Sequence, residues 1–117
     1  MNKPKIKGTR FEVAVRDYLA THNLITYRPA QSGCKDVGDL VGVEGWAIEC
    51  KNTIANDLGS ALDEAIKEAE NAGLECSVLI KHRQRAPVGR AYAIMTLDQW
   101  ISIVNKLKGV ACPKSKP

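Results

Sequence analysis

The stretch Val37-Gly38-Asp39-Leu40-Val41-Gly42-Val43-Glu44-Gly45-Trp46-Ala47-Ile48-Glu49-Cys50-Lys51 decides how this chain reads. Two apolar runs, 37–42 and 46–51, flank Glu44-Gly45, the pattern of two strands joined by a hairpin turn. Asp39 interrupts the first run, and Glu49 and Lys51 interrupt the second. Charged groups in strands of core composition need partners or a bound cation. The loop length decides which of them meet, because a slip of one residue sends every side chain to the opposite face. A two-residue loop, Glu44-Gly45, puts Asp39 opposite Cys50 and turns Glu49 away. A three-residue loop, Val43-Glu44-Gly45, puts Asp39 directly across from Glu49 and gathers Leu40, Trp46, Ile48 and Cys50 on one apolar face. Three-residue hairpin loops end on a left-handed residue, and Gly45 stands at that position. The second register is the expected one. It sets the Asp39 and Glu49 Cβ atoms ~5 Å apart, with Lys51 on the face of Glu49.

Two adjacent carboxylates repel each other unless one holds a proton or a cation sits between them. An all-oxygen ligand set favours a hard ion, Mg²⁺, with Mn²⁺ able to substitute. Such an ion polarises a phosphoryl oxygen and lowers the pKa of a bound water. A lysine beside it can orient that water or stabilise developing negative charge. Asp39, then Glu49-x-Lys51, is thus a pattern for phosphodiester hydrolysis. The same residues also suit a cross-strand salt bridge on an exposed sheet face, and a short motif alone does not separate the two.

Outward from this hairpin the chain alternates helix and strand signals. Thr9-Arg10-Phe11-Glu12 is a capping box, so a helix is expected to start at Thr9 and end near His22-Asn23. Phe11, Ala14, Val15, Tyr18 and Leu19 recur along it at helical spacing. Residues 24–28 read as a strand, and 29–35 as a loop containing Ser32-Gly33. A second helix is expected from an Asn56 or Asp57 cap to Ala72, stopped by Gly73. Leu58, Ala61, Leu62, Ala65, Ile66 and Ala69 form its apolar stripe, with acids and Lys67 on the other face. Strands follow at 76–82 and 90–95, around a basic loop at 83–89. Thr96-Leu97-Asp98-Gln99 opens a last helix that Gly109 closes. Residues 1–8 and 110–117 read as a mobile basic arm and tail. The order αβββαββα makes one mixed α/β domain over residues 1–117.

Composition narrows the function. The chain of 117 residues has 17 Lys plus Arg against 13 Asp plus Glu, a net charge of +4. The bases cluster at Lys3, Lys5, Lys7 and Arg10, at Lys81, Arg83, Arg85 and Arg90, and near the end, while the acids concentrate at 57–75. A chain polarised in this way suits a polyanion on its basic side. Six aromatic residues are a poor supply for base stacking. The cysteines Cys34, Cys50, Cys76 and Cys112 form no CxxC pair, which argues against zinc and for a reducing compartment. No apolar run reaches the ~18 residues of a membrane span, and no signal peptide is visible. A cytoplasmic location, no membrane partner and no organic cofactor are expected.

The ordered set Lys7-Gly8, Glu12, Arg28, Ser32-Gly33, Asp39 and Glu49-x-Lys51 resembles the archaeal-type Holliday-junction resolvases and their phage relatives, of the PD-(D/E)xK nuclease superfamily. The resemblance covers about residues 5–95. It implies a restriction-endonuclease-like αβββαβ core, here with an extra strand and a C-terminal helix. It implies a homodimeric endonuclease acting on branched double-stranded DNA and resolving four-way junctions by paired nicks that leave 5′-phosphates. By this resemblance Asp39, Glu49 and the Cys50 backbone carbonyl hold Mg²⁺, Lys51 is the catalytic lysine, and Glu12 and Ser32 reach the site. Glu12 also completes the capping box, and Ser32 also suits plain turn chemistry. Lys7, Arg10, Arg28, Lys81, Arg83, Arg85 and Arg90 are the expected DNA contacts. The chain departs from the family at Gly38, where a proline usually precedes the motif aspartate. It also departs at Val13, where an arginine is common, and in a second helix that carries Leu, Ile and Ala where the archaeal enzymes carry aromatics. A flap, nicking or restriction-like nuclease and a catalytically inert DNA-binding domain are the alternative readings.

Overall fold

The computed structural model describes residues 3–29, 38–53 and 57–109, with residues 3–7 described by backbone alone. Strand β1 (Trp46–Lys51) pairs in parallel with β2 (Cys76–Lys81), which pairs antiparallel with β3 (Tyr92–Ile94), giving a mixed sheet in the order β1-β2-β3. Three helices accompany it: α1 (Lys3–Thr21), α2 (Leu58–Ala72) and α3 (Leu97–Leu107). The architecture is α+β.

Alternation along the strands separates two faces. Ile48 and Cys50 of β1 and Val78 of β2 join Leu40 and the α1 residues Phe11 and Val15 in a buried apolar cluster. Trp46 packs at its margin. Ala47, Glu49, Ser77 and Leu79 point the other way and are buried on the side where α2 packs, with Ala65 and Ala69 buried on the helix. The sheet is thus covered on both faces at β1 and β2.

The expected caps of α2 and α3 are present. Asp57 accepts the Ser60 amide at the start of α2, and Gly73 closes that helix in the left-handed region. Thr96 accepts the Gln99 amide at 3.1 Å. Gln99 also takes over part of the sheet ladder. Its side-chain oxygen accepts the Ser77 amide and its nitrogen reaches the Cys76 sulfur, on a stretch of β2 that β3, pairing only with Leu79 to Lys81, leaves uncovered.

Helix α1 begins at Lys3, not at Thr9. Pro4 falls in its first turn, where amide hydrogens have no helical partner to lose. Thr9 therefore lies inside the helix, and Thr9-Arg10-Phe11-Glu12 is not its capping box. The strand expected at 24–28, and residues 38–42 of the one expected at 37–42, are reduced to isolated bridges, Tyr27 with Val41 and Leu40 with Ile48, and Val37 lies outside the described residues. Around 38–42 the cause is local. Gly38 and Gly42 have φ of 113° and 131°, outside the strand region, and the amides of both Asp39 and Leu40 turn to one acceptor, the Ile48 carbonyl. Around 24–28 Thr26 alone is buried, while Leu24, Ile25 and Tyr27 are exposed, so little of the segment is held against the core. The strand expected at 90–95 is confined to Tyr92–Ile94, after a 3₁₀ turn at Val88–Arg90.

Candidate active site

The Leu40–Ile48 bridge is antiparallel, so the neighbouring Asp39 stands across from Glu49. This is the register of the three-residue loop, and Gly45 adopts φ 85°. Asp39 is tied to the strand it faces: its Oδ2 accepts the Cys50 amide at 2.8 Å, and its own amide donates to the Ile48 carbonyl. Parallel pairing explains why Cys50 is the donor. The amides and carbonyls of successive β1 residues alternate between the two edges of the strand. The Gly45 and Lys51 carbonyls accept from Cys76 and His82 on the β2 side, so the polar groups of Ile48 and Cys50 face the Asp39 side. The Cys50 carbonyl is therefore directed to the edge where Asp39 lies.

Glu49 is 3% exposed, under α2. Burial, then the negative charges of Asp39 and Glu68, push its carboxyl far above the usual range. Lys51 projects from the same face and sits 3.4 Å from Glu49 Oε2 and 3.4 Å from Glu64 Oε1. Partial burial draws its ammonium down, but Glu49 and Glu64 outweigh that and leave its pKa raised. It remains a cation at neutral pH. Desolvation, followed by the nearby carboxylates, raises the Cys50 thiol, so its sulfur is a neutral, inert group.

From the other face, Glu12 of α1 approaches the same edge. Its Oε1 accepts from Arg28 Nε at 2.8 Å. Burial raises the Glu12 carboxyl, the Arg28 hydrogen bond opposes that, and the charge of Asp39 adds to the rise. Glu12 is thus paired with Arg28 and electrostatically coupled to Asp39, and Arg28 is engaged with Glu12.

The other expected DNA contacts lie on several elements. Arg10, Arg83, Arg85 and Arg90 are exposed, with the Arg83 guanidinium 5.5 Å from the Tyr92 ring centroid. Lys81 is level with Lys51 across the parallel pair and donates to the Thr53 carbonyl. Both lysines line a cavity of about 230 Å³ at the start of α2. Ser32 and the Lys7 side chain lie outside the described residues.

Two residues of this neighbourhood escaped the sequence reading, which gave all the acids of α2 to its solvent face. Glu68 is 1% exposed, and oxygen atoms of Glu49, Glu64 and Glu68 lie within 4.8 Å of one another. The signal was present, since Glu64 and Glu68 are four residues apart and Ala61 and Ala65 flank them on the apolar stripe. No protein-family model, curated protein or solved structure matches the chain. No helix among the described residues is long and apolar enough to cross a membrane.

Proposed function

We propose that this protein is a metal-dependent DNA endonuclease with a restriction-endonuclease-like core, acting on four-way junctions as a homodimer. The observation that carries the reading is the juxtaposition of Asp39, Glu49 and Lys51 at one edge of β1. Two carboxylates and an ammonium are held together there at a cost in desolvation and repulsion that packing does not require. Asp39, Glu49 and the Cys50 carbonyl are the groups that fit Mg²⁺ or Mn²⁺, which supplies Lewis acidity and an acidified water when bound. Lys51, kept protonated by its carboxylate neighbours, offers a positive group to a phosphoryl oxygen that gains charge. Arg28 fixes Glu12 beside Asp39. The exposed arginines of 83–90 and Arg10 suit contacts to phosphates, which position a duplex without reading its sequence. Junction preference rests on the resemblance to resolvases. The dimer follows from the need for two symmetric nicks.

Digestion of a labelled four-way junction beside linear duplex of the same arms, with Mg²⁺ and with EDTA, tests the reading. Paired, Mg²⁺-dependent nicks on the junction with 5′-phosphate ends are expected. Equal cutting of both substrates would remove the junction preference and keep the nuclease. Binding without cutting, in Mg²⁺ and in Mn²⁺, would overturn the enzymatic reading.

A further inference from the structure

We infer that Glu64 and Glu68 of α2, together with Glu49 of β1, form a divalent-cation site that joins the helix to the sheet. This subsite is additional to the Asp39 edge and requires only that Glu49 be available to it, not that the protein be a nuclease.

The three carboxylates converge within 4.8 Å, and two of them are removed from water: Glu49 is 3% exposed and Glu68 1%. Convergence alone would be weak support. A second observation concerns Glu49, whose Oε1 is buried and meets no donor group, its carboxyl facing those of Asp39 and Glu68. A buried carboxylate oxygen left so in a helix–sheet interface is unfavourable until a proton or a cation reaches it. Lys51 meets the outer side of the cluster only. It is one-third exposed, and its contacts to Glu49 Oε2 and Glu64 Oε1 are both 3.4 Å, long beside the ~2.7–2.9 Å of a well-made ammonium–carboxylate bond. The ammonium thus bridges two of the three carboxylates loosely from the solvent side.

Size and access agree. Opposite oxygens across a Ca²⁺ shell are roughly 4.6–5.2 Å apart and across Mg²⁺ roughly 4.0–4.2 Å. Oxygens no more than 4.8 Å from one another are within the span of a Ca²⁺ shell, and Mg²⁺ or Mn²⁺ calls for a closer approach. The cavity lined by Lys51, Glu64 and Lys81 opens beside the cluster and provides the path by which an ion and its remaining waters arrive. All ligands are carboxylate oxygens, which excludes a preference for soft metals. Glu49 belongs to both this cluster and the Asp39 pair, so the two sites share one carboxylate.

The test is a Mn²⁺ titration of the metal-free full-length chain by calorimetry, with unbound Mn²⁺ read by electron paramagnetic resonance and thermal unfolding followed in parallel. Glu64→Gln alters a half-exposed side chain and is expected to keep the fold. It should weaken Mn²⁺ binding at this site by at least about tenfold and diminish the Mn²⁺-induced rise in Tm. Glu68→Gln should do the same, and Asp39→Asn should leave Glu64-dependent binding in place. Wild-type chain that binds no Mn²⁺, or folded Glu64→Gln that titrates like wild type, overturns the site. Failure of the nuclease reading is separate: Glu64-dependent Mn²⁺ binding without junction cleavage would remove the enzyme and leave this site standing.

Discussion

Lys51 lies between two carboxylates and lines an open cavity, so its removal separates chemistry from architecture. Lys51→Ala is expected to lower Mg²⁺-dependent cleavage by about 10²–10³-fold, the usual loss of one group that stabilises transition-state charge. Circular dichroism and thermal unfolding should remain close to wild type. Cleavage at the wild-type rate would remove Lys51 from the mechanism. Asp39→Asn is a second test at this scale. The amide oxygen can still accept the Cys50 amide, so the fold should survive while cleavage falls to background. If cleavage persists, the Asp39 charge is not needed for it.

The elements explain which parts of the molecule were legible in advance. Helices α2 and α3 were readable because their punctuation is chemical and local: Asp57 and Gly73 bound one, and Thr96 with Gln99 opens the other. The register of Asp39 against Glu49 was readable because one glycine in the left-handed region, Gly45, fixes the loop length. The start of α1 was misjudged because a capping-box sequence inside a helix looks the same as one at its end. The strands at 24–28 and 37–42 were overestimated because β-branched residues report local preference, while the glycine geometry and exposed side chains that break the ladder depend on the partners. Glu64 and Glu68 were missed because charge outweighed position in reading the helix face. Gly42 offers a direct check. It has φ 131°, and a Cβ there would lie 2.5 Å from the Ile25 carbonyl oxygen. Gly42→Ala should therefore lower unfolding free energy by about 1–3 kcal/mol in urea titrations, and a neutral effect would show that the bridge to Val41 does not depend on this backbone. Thr96→Ala should cost about 1 kcal/mol by the same measurement, through loss of the α3 cap.

Over the whole molecule, the raised carboxyls of Glu49 and Glu12 tie stability to pH. A carboxyl with a higher pKa folded than unfolded keeps its proton in the native state where the unfolded chain has lost it. Each rise in pH above the unfolded value near 4.5 then favours unfolding, by up to ~1.4 kcal/mol per pH unit for one proton. Metal-free protein should accordingly unfold at lower urea concentration at pH 8 than at pH 5, and saturating Mg²⁺ should shrink that difference. A metal-free midpoint that rises over this interval would contradict the protonated state of Glu49. The basic groups act at the same scale. Affinity for duplex or branched DNA should fall linearly in log–log form with salt, as counterion release requires, and a salt-independent affinity would argue against phosphate contacts as the source of binding.

None of the residues of α3 is buried, whereas β1 and β2 hold residues at 0% exposure such as Ala47 and Leu79. Amide hydrogen exchange should record this contrast as two classes of opening. The α3 amides should exchange through a low-energy local release of that helix, with the Gln99 link to Ser77 the last tie to break. The β1 and β2 amides should exchange only when the whole molecule opens. Glu49 of β1 then belongs to the slowest-opening part of the chain, and it should keep its place through every excursion that frees the C-terminal helix.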